Sequence, residues 1–137
     1  MVKHYPLMMG MGKKRIMIVD DNPDVLISIK EGLTALDENI EVIPVENGEE
    51  CLKLLEERRI KPDLIILDIM LPGMSGWEVY NQIKERKEWE KIPIIFLTAR
   101  TDPTAREVGS FLGEDYIEKP FDARDLKARI DRILAGR

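Results

Sequence analysis

The stretch Ile16-Met17-Ile18-Val19-Asp20-Asp21-Asn22-Pro23 decides how this chain is read. Four apolar residues follow one another without polar alternation, the pattern of a strand covered on both faces in a parallel sheet. Two acids come next. Asn22 before Pro23 then marks a helix start, with the asparagine as N-cap and proline at the first helical position. A buried strand that runs through acids into a helix is the opening of a β–α unit.

The same grammar recurs along the 137 residues. Leu64-Ile65-Ile66-Leu67 runs into Asp68, and Ile94-Ile95-Phe96-Leu97 runs into Thr98. Ile40 to Val45 is a weaker strand. It carries Glu41 and Pro44, and proline cannot donate to a ladder, so this strand belongs at an edge. Tyr116-Ile117, short and charge-flanked, suits the other edge. Helix starts stand at Asn47 (three before Glu50), at Ser75 (three before Glu78, a capping box), at Asp102 before Pro103, and at Asp122. Val25, Leu26, Ile29, Leu33 and Leu36 form one apolar stripe, and Leu126, Ile130, Ile133 and Leu134 form another that ends against Gly136. The expected fold is α/β: one doubly wound, five-stranded parallel sheet with five helices in three layers. Strands 1, 3 and 4 are central, with strands 2 and 5 outside. The folded unit spans 14–137, and residues 1–13 are an N-terminal tail with no patterned element.

Composition narrows the function. Hydrophobic residues at 44% and charged residues at 34% belong to a globular domain. A net charge of −5 argues against a surface built to neutralise nucleic-acid phosphates. The single histidine, His4, precedes the first strand, and Cys51 is the single cysteine, which excludes a Ser-His-Asp enzyme, a His- or Cys-rich metal site and an internal disulfide. No apolar run reaches membrane-spanning length, and Leu7-Met8-Met9 is too short for a secretory core, so a cytoplasmic protein is expected. Gly10-Met11-Gly12-Lys13-Lys14 has a phosphate-loop flavour but precedes its strand and lacks the following Ser or Thr. No Gly-x-Gly-x-x-Gly follows strand 1, and the acids there disfavour a flavin phosphate.

In doubly wound sheets the working crevice lies at the carboxyl ends of the strands. Asp20, Asp21, Asp68, Thr98 and Lys119 all stand at such ends. Converging carboxylates repel one another unless a cation balances them or one stays protonated. Oxygen ligands without His or Cys suit a hard ion, Mg²⁺ first. A carboxylate can also attack phosphorus and become an acyl phosphate, with Mg²⁺ and a lysine balancing the charge. Asp68, alone at the end of a central strand, is the better acceptor, and Asp20 with Asp21 is the metal-holding pair. Read singly, these residues are ordinary: Asp20-Asp21 a solvated cap, Asp68 a turn residue before Pro72-Gly73, Thr98 a cap, Lys119 a surface lysine, Tyr116 packing. Cys51, Trp77 and Trp89 are expected in packing, and Glu56-Glu57-Arg58-Arg59 and Lys84-Glu85-Arg86-Lys87 on solvated helix faces.

Together the motifs resemble the receiver domain of two-component response regulators, the flavodoxin-like fold of the chemotaxis receiver. The segments that carry this are Ile18-Val19-Asp20-Asp21-Asn22, Asp68-Ile69-Met70-Leu71-Pro72-Gly73-Met74-Ser75-Gly76, Phe96-Leu97-Thr98-Ala99 and Asp115-Tyr116-Ile117-Glu118-Lys119-Pro120-Phe121. The resemblance implies strand order 2-1-3-4-5 and Asp68 as phosphoacceptor from a sensor histidine kinase or phosphotransfer protein. It implies Mg²⁺ held directly by Asp21, Asp68 and the Met70 carbonyl, and through water by Asp20. Lys119 would contact the phosphoryl group, ahead of a cis bond to Pro120. Thr98 and Tyr116 would be the switch, reporting to the face of the fourth helix, fifth strand and fifth helix. The family often pairs through that face, where Asp115, Arg124 and Arg129 would supply ion pairs. Met70 and Arg100 stand where the family tunes acyl-phosphate lifetime. Leu112-Gly113 departs from the usual glycine-alanine turn.

The expectation is therefore a stand-alone signalling receiver that promotes its own phosphoryl uptake and loss and acts on a downstream protein. It touches neither nucleic acid nor membrane and is not a turnover enzyme. A phosphatase working through an aspartyl phosphate is the alternative, but it would want a second aspartate where Met70 stands. An interaction module with an unused pocket is the other.

Overall fold

A computed structural model describes residues 12–57, 60–99 and 115–136. Its elements alternate: β1 (Lys14–Val19), α1 (Pro23–Leu36), β2 (Ile40–Val45), α2 (Gly48–Glu56), β3 (Leu64–Asp68), α3 (Gly76–Lys84), β4 (Ile94–Ala99), β5 (Asp115–Lys119) and α4 (Ala123–Ala135). The five strands form one parallel sheet in the order β2-β1-β3-β4-β5, with the two weaker strands at the edges as expected. Four helices are present among the described residues. The helix expected after Asp102-Pro103, Arg100 and the Leu112-Gly113 turn fall outside them.

The apolar runs become central strands because both of their faces are covered. Ile16, Met17, Ile18 and Val19 are solvent-free, as are Leu64 to Leu67 and Ile94 to Leu97. Met17, Val19, Ile65, Leu67, Ile94 and Phe96 face α2 and α3, packing with Cys51, Leu55, Val79 and Ile83. Ile16, Ile18, Leu64, Ile66, Ile95 and Leu97 face α1 and α4, packing with Leu26, Ile29, Leu33, Leu126 and Ile130. The two cores lie on opposite sides of one sheet because side chains alternate along each strand.

The caps act as their residue types require. Asn22, Asn47, Ser75 and Asp122 each accept a backbone N–H of the first turn they precede. The stripe on α1 ends earlier than its pattern suggested: Leu36 is 43% exposed. Three residues beyond Leu33 is roughly 300° of rotation, and α1 stops at the extended Asp37 before another turn brings the face back. The charge run that begins at the last residue of α3 is not a purely solvated face either. Lys84 Nζ donates to the carbonyls of Glu90 (3.0 Å) and Ile92 (3.1 Å), and the Arg86 guanidinium lies 4.2 Å from the centre of the Trp89 ring.

Candidate functional site

β1 stops where Asp20 N–H donates to the carbonyl of Val45 at the end of β2, 3.0 Å away. This hydrogen bond fixes the backbone at the moment the chain leaves the sheet. Asp20 is fully buried, and its Oδ1 accepts the N–H of Asn22 at 2.9 Å. The same asparagine caps α1, so one short turn both orients the acid and starts the helix. Asp21, the next residue, is exposed.

β3 delivers Asp68, which is 4% exposed. The N–H of Met70 donates to its Oδ1 at 2.9 Å, and Lys119 Nζ, from the end of β5, donates to its Oδ2 at 3.1 Å. The same ammonium lies 2.8 Å from Asp20 Oδ2. Lys119 therefore bridges two strand ends that are neighbours in the sheet, at β1 and β3, from its own strand at the edge. The Lys119–Pro120 bond is cis, as the resemblance implies.

Three carboxylates, those of Asp20, Asp21 and Asp68, present oxygens within 4.8 Å of one another. Burial pushes the Asp68 carboxyl above its ordinary range, and the charge of Asp20 adds to this, while the Met70 N–H and the Lys119 ammonium oppose it. Burial alone would lower the Lys119 ammonium, but Asp20 and Asp68 outweigh it and the net direction is upward. The cluster fits a hard divalent cation on three observations. Its donors are all oxygen, and the three clustered acids include two that share the single ammonium of Lys119. In addition, the buried Asp20 Oδ2 has its ionic neighbour in Lys119 but no aligned hydrogen bond.

Of the residues singled out from sequence, the fold gathers Asp20, Asp21, Asp68 and Lys119 directly. Thr98 is buried one residue beyond the Asp68–Leu97 register, and its hydroxyl donates to the carbonyl of Ala99 at 3.2 Å. Met70 turns its side chain outward, 65% exposed, and meets Asp68 through its backbone. Tyr116 is paired with Phe96 in the β4–β5 register and packs partly buried against the α2–α3 core. Asp115 and Arg129, expected to reach toward a second copy, meet each other within the chain at 2.8 Å. Arg129 also donates to the carbonyl of Tyr116 at 2.9 Å.

Sequence reading assigned no role to Gly76, yet this residue shapes the site. Its N–H donates to the carbonyl of Ile69 at 3.0 Å, and a Cβ there would overlap the Asp68 carbonyl and the Ile69 Cα. α3 is thus seated on the main chain of Asp68. Gly73, in the same loop, has φ of +72°, a region that favours glycine. The signal was present as two glycines three apart just after the acid, but only contact distances reveal which one is indispensable.

A mostly apolar groove of about 460 Å³ flanks Lys119, lined by Val25, Ser28, Ala99, Pro120 and Phe121 among others. Among the described residues, no helix is long and apolar enough to cross a membrane.

The sequence profile of the response regulator receiver domain matches residues 16–131. The chain is 40% identical over 121 residues to the phosphate regulon transcriptional regulatory protein PhoB of Rhizobium meliloti, covering 88% of this chain and 52% of that protein. It is 38% identical over 122 residues to the alkaline phosphatase synthesis transcriptional regulatory protein PhoP of Bacillus subtilis, covering 88% and 48% respectively. The chain thus spans about half the length of these curated relatives. A crystal structure of a response regulator receiver domain protein from Clostridium thermocellum superimposes with a TM-score of 0.78 at 26% identity, over 90% of this chain and 95% of that one. Acids, lysine and threonine at the strand ends, the sheet order and the profile match agree: the chain belongs to the response regulator receiver domains.

Proposed function

We propose that Asp68 accepts a phosphoryl group from a phosphohistidine of a sensor histidine kinase or phosphotransfer protein. A carboxylate oxygen of Asp68 attacks phosphorus, the P–N bond to the donor imidazole breaks, and the nitrogen departs with the bonding pair. The observation that carries this reading is the Asp20–Lys119–Asp68 bridge: a buried carboxylate with an ammonium 3.1 Å away and a second acid on the ammonium's far side.

The chain's own groups divide the work. Lys119 balances charge at the acceptor and is placed to follow a phosphoryl oxygen as it arrives. The Met70 N–H holds Asp68 Oδ1, so the attacking oxygen is oriented by the main chain. Asp21, Asp68 and the Met70 carbonyl would hold Mg²⁺, with Asp20 behind through water. The bound ion supplies the positive charge that the acids and an incoming phosphoryl group require. The Thr98 hydroxyl, bonded to its neighbour's carbonyl, would turn to a phosphoryl oxygen, and Tyr116 would move inward behind it.

In this reading the folded unit is 14–137, with residues 1–13 outside it. It is a cytoplasmic signalling domain that promotes its own phosphorylation and dephosphorylation rather than turning over an outside substrate. Its output is a protein contact, with neither nucleic acid nor membrane bound directly. A homodimer would form through the face of β5, α4 and the residues before β5, and the Asp115–Arg129 pair would have to open or be shared for it to do so.

The test is acetyl phosphate with Mg²⁺, read by intact mass and peptide mapping. One phosphoryl group on Asp68, absent in Asp68→Asn and absent without the cation, is the expected result. Undiminished labelling of Asp68→Asn at another residue overturns the reading.

A further inference from the structure

Two physical routes leave Asp68 and Thr98, and they meet at one aromatic contact. The first runs through the main chain: Gly76 sits against the Asp68 carbonyl with no room for a side chain, and the next residue on α3 is Trp77. The second runs down β4. Phe96 lies two residues before Thr98 and therefore on the same face of the sheet. Its ring is fully buried, 5.0 Å from the Trp77 ring and 5.2 Å from the Tyr80 ring, within the range of tilted aromatic pairs. Tyr116 is registered with Phe96 and borders the same core.

We propose that the Trp77–Phe96 contact couples the state of the Asp68 site to α3, so that Trp77 is a positioning residue and the start of α3 is a responsive surface. A close-packed interior transmits displacement instead of absorbing it. Phe96 has no free surface, and Tyr80 is buried too. Trp77 is only partly buried, so it is the ring that can yield when the acceptor loop or the end of β4 moves. The consequence is a second outlet for the signal, on the opposite side of β4 from β5. This inference rests on phosphorylation of Asp68.

The chain has two tryptophans, so Trp89→Phe leaves Trp77 as the single indole. That protein is treated with acetyl phosphate and Mg²⁺, and emission is followed beside the mass-measured phosphorylated fraction. Trp77 emission should shift in proportion to that fraction. Adding Phe96→Met removes the ring while a long, adaptable apolar side chain fills most of its space; phosphorylation should persist while the Trp77 response falls by about threefold or more. Fluorine NMR of the unmutated chain carrying fluorotryptophan reads the same movement without a core substitution. Full phosphorylation with a static Trp77 signal, or an undiminished response in Phe96→Met, overturns the coupling and leaves the phosphorylation reading standing. Absence of phosphorylation on Asp68 sinks both.

Discussion

Lys119 is ion-paired to Asp20, a fully buried acid 2.8 Å from its ammonium, as well as to Asp68, the proposed acceptor. The lysine is therefore a structural counter-ion before any phosphoryl group arrives. Lys119→Met would leave a buried charge without compensation, a change that costs about 3–5 kcal/mol when one partner of such a pair is removed. Urea unfolding in chelator should show this loss, and added Mg²⁺ should restore part of it. Equal midpoints for parent and variant in chelator would refute the structural role.

Asp68 gives a pH dependence of definite sign. Burial holds its carboxyl above the ordinary range, with Asp20 contributing, so the folded state binds that proton more tightly than the unfolded chain does. Stability from this group is full below the ordinary carboxylate value, about pH 4, and is lost as pH rises through the folded value. Asp68→Asn should therefore unfold at higher urea than the parent at pH 7 in metal-free buffer. The advantage should vanish toward pH 4. Coincident midpoints across this range would contradict the assignment.

Gly76→Ala inserts a methyl group against the Asp68 carbonyl. Overpacking of this kind costs about 1–3 kcal/mol. Because the strain falls on the main chain of Asp68, the proposed acceptor, phosphorylation by acetyl phosphate should slow along with the drop in stability. Gly12→Ala, where nothing lies within 4 Å of an added Cβ, is the matched control and should change neither.

Cys51 lies at zero exposure with its thiol pushed up to about 12 by burial. Its Sγ approaches the Met17 sulfur at 3.7 Å. A thiol reagent at pH 8 should modify the native chain only as fast as the core opens, and quickly in urea. Rapid native modification would show the α2–α3 core to be looser than its packing.

The sheet was legible because its central strands are unbroken apolar runs, and the edges because Pro44 and the charges around Tyr116-Ile117 tolerate no second neighbour. The acids and Lys119 were legible because the crevice of a parallel sheet is known once its strand ends are. What sequence could not give was contact. The seat of α3 on Asp68 through Gly76, the Asp20–Lys119 pair and the self-satisfied Asp115–Arg129 pair depend on distances between segments far apart in the chain. Leu36 belongs to the stripe by pattern but lies exposed, because a stripe does not announce where its helix stops. The contacts of Lys84 and Arg86 are not legible either, because a charge run hides which of its members fold back on carbonyls and rings.

Pro44 carries one more consequence. The Val45 carbonyl turns toward β1, so the adjacent proline turns its nitrogen to the open side of β2. A stray strand arriving along that side meets a missing donor one residue before the end of a six-residue edge. The fold thus guards one border against fibril-like accretion by a single ring closure, independently of whatever its acids bind.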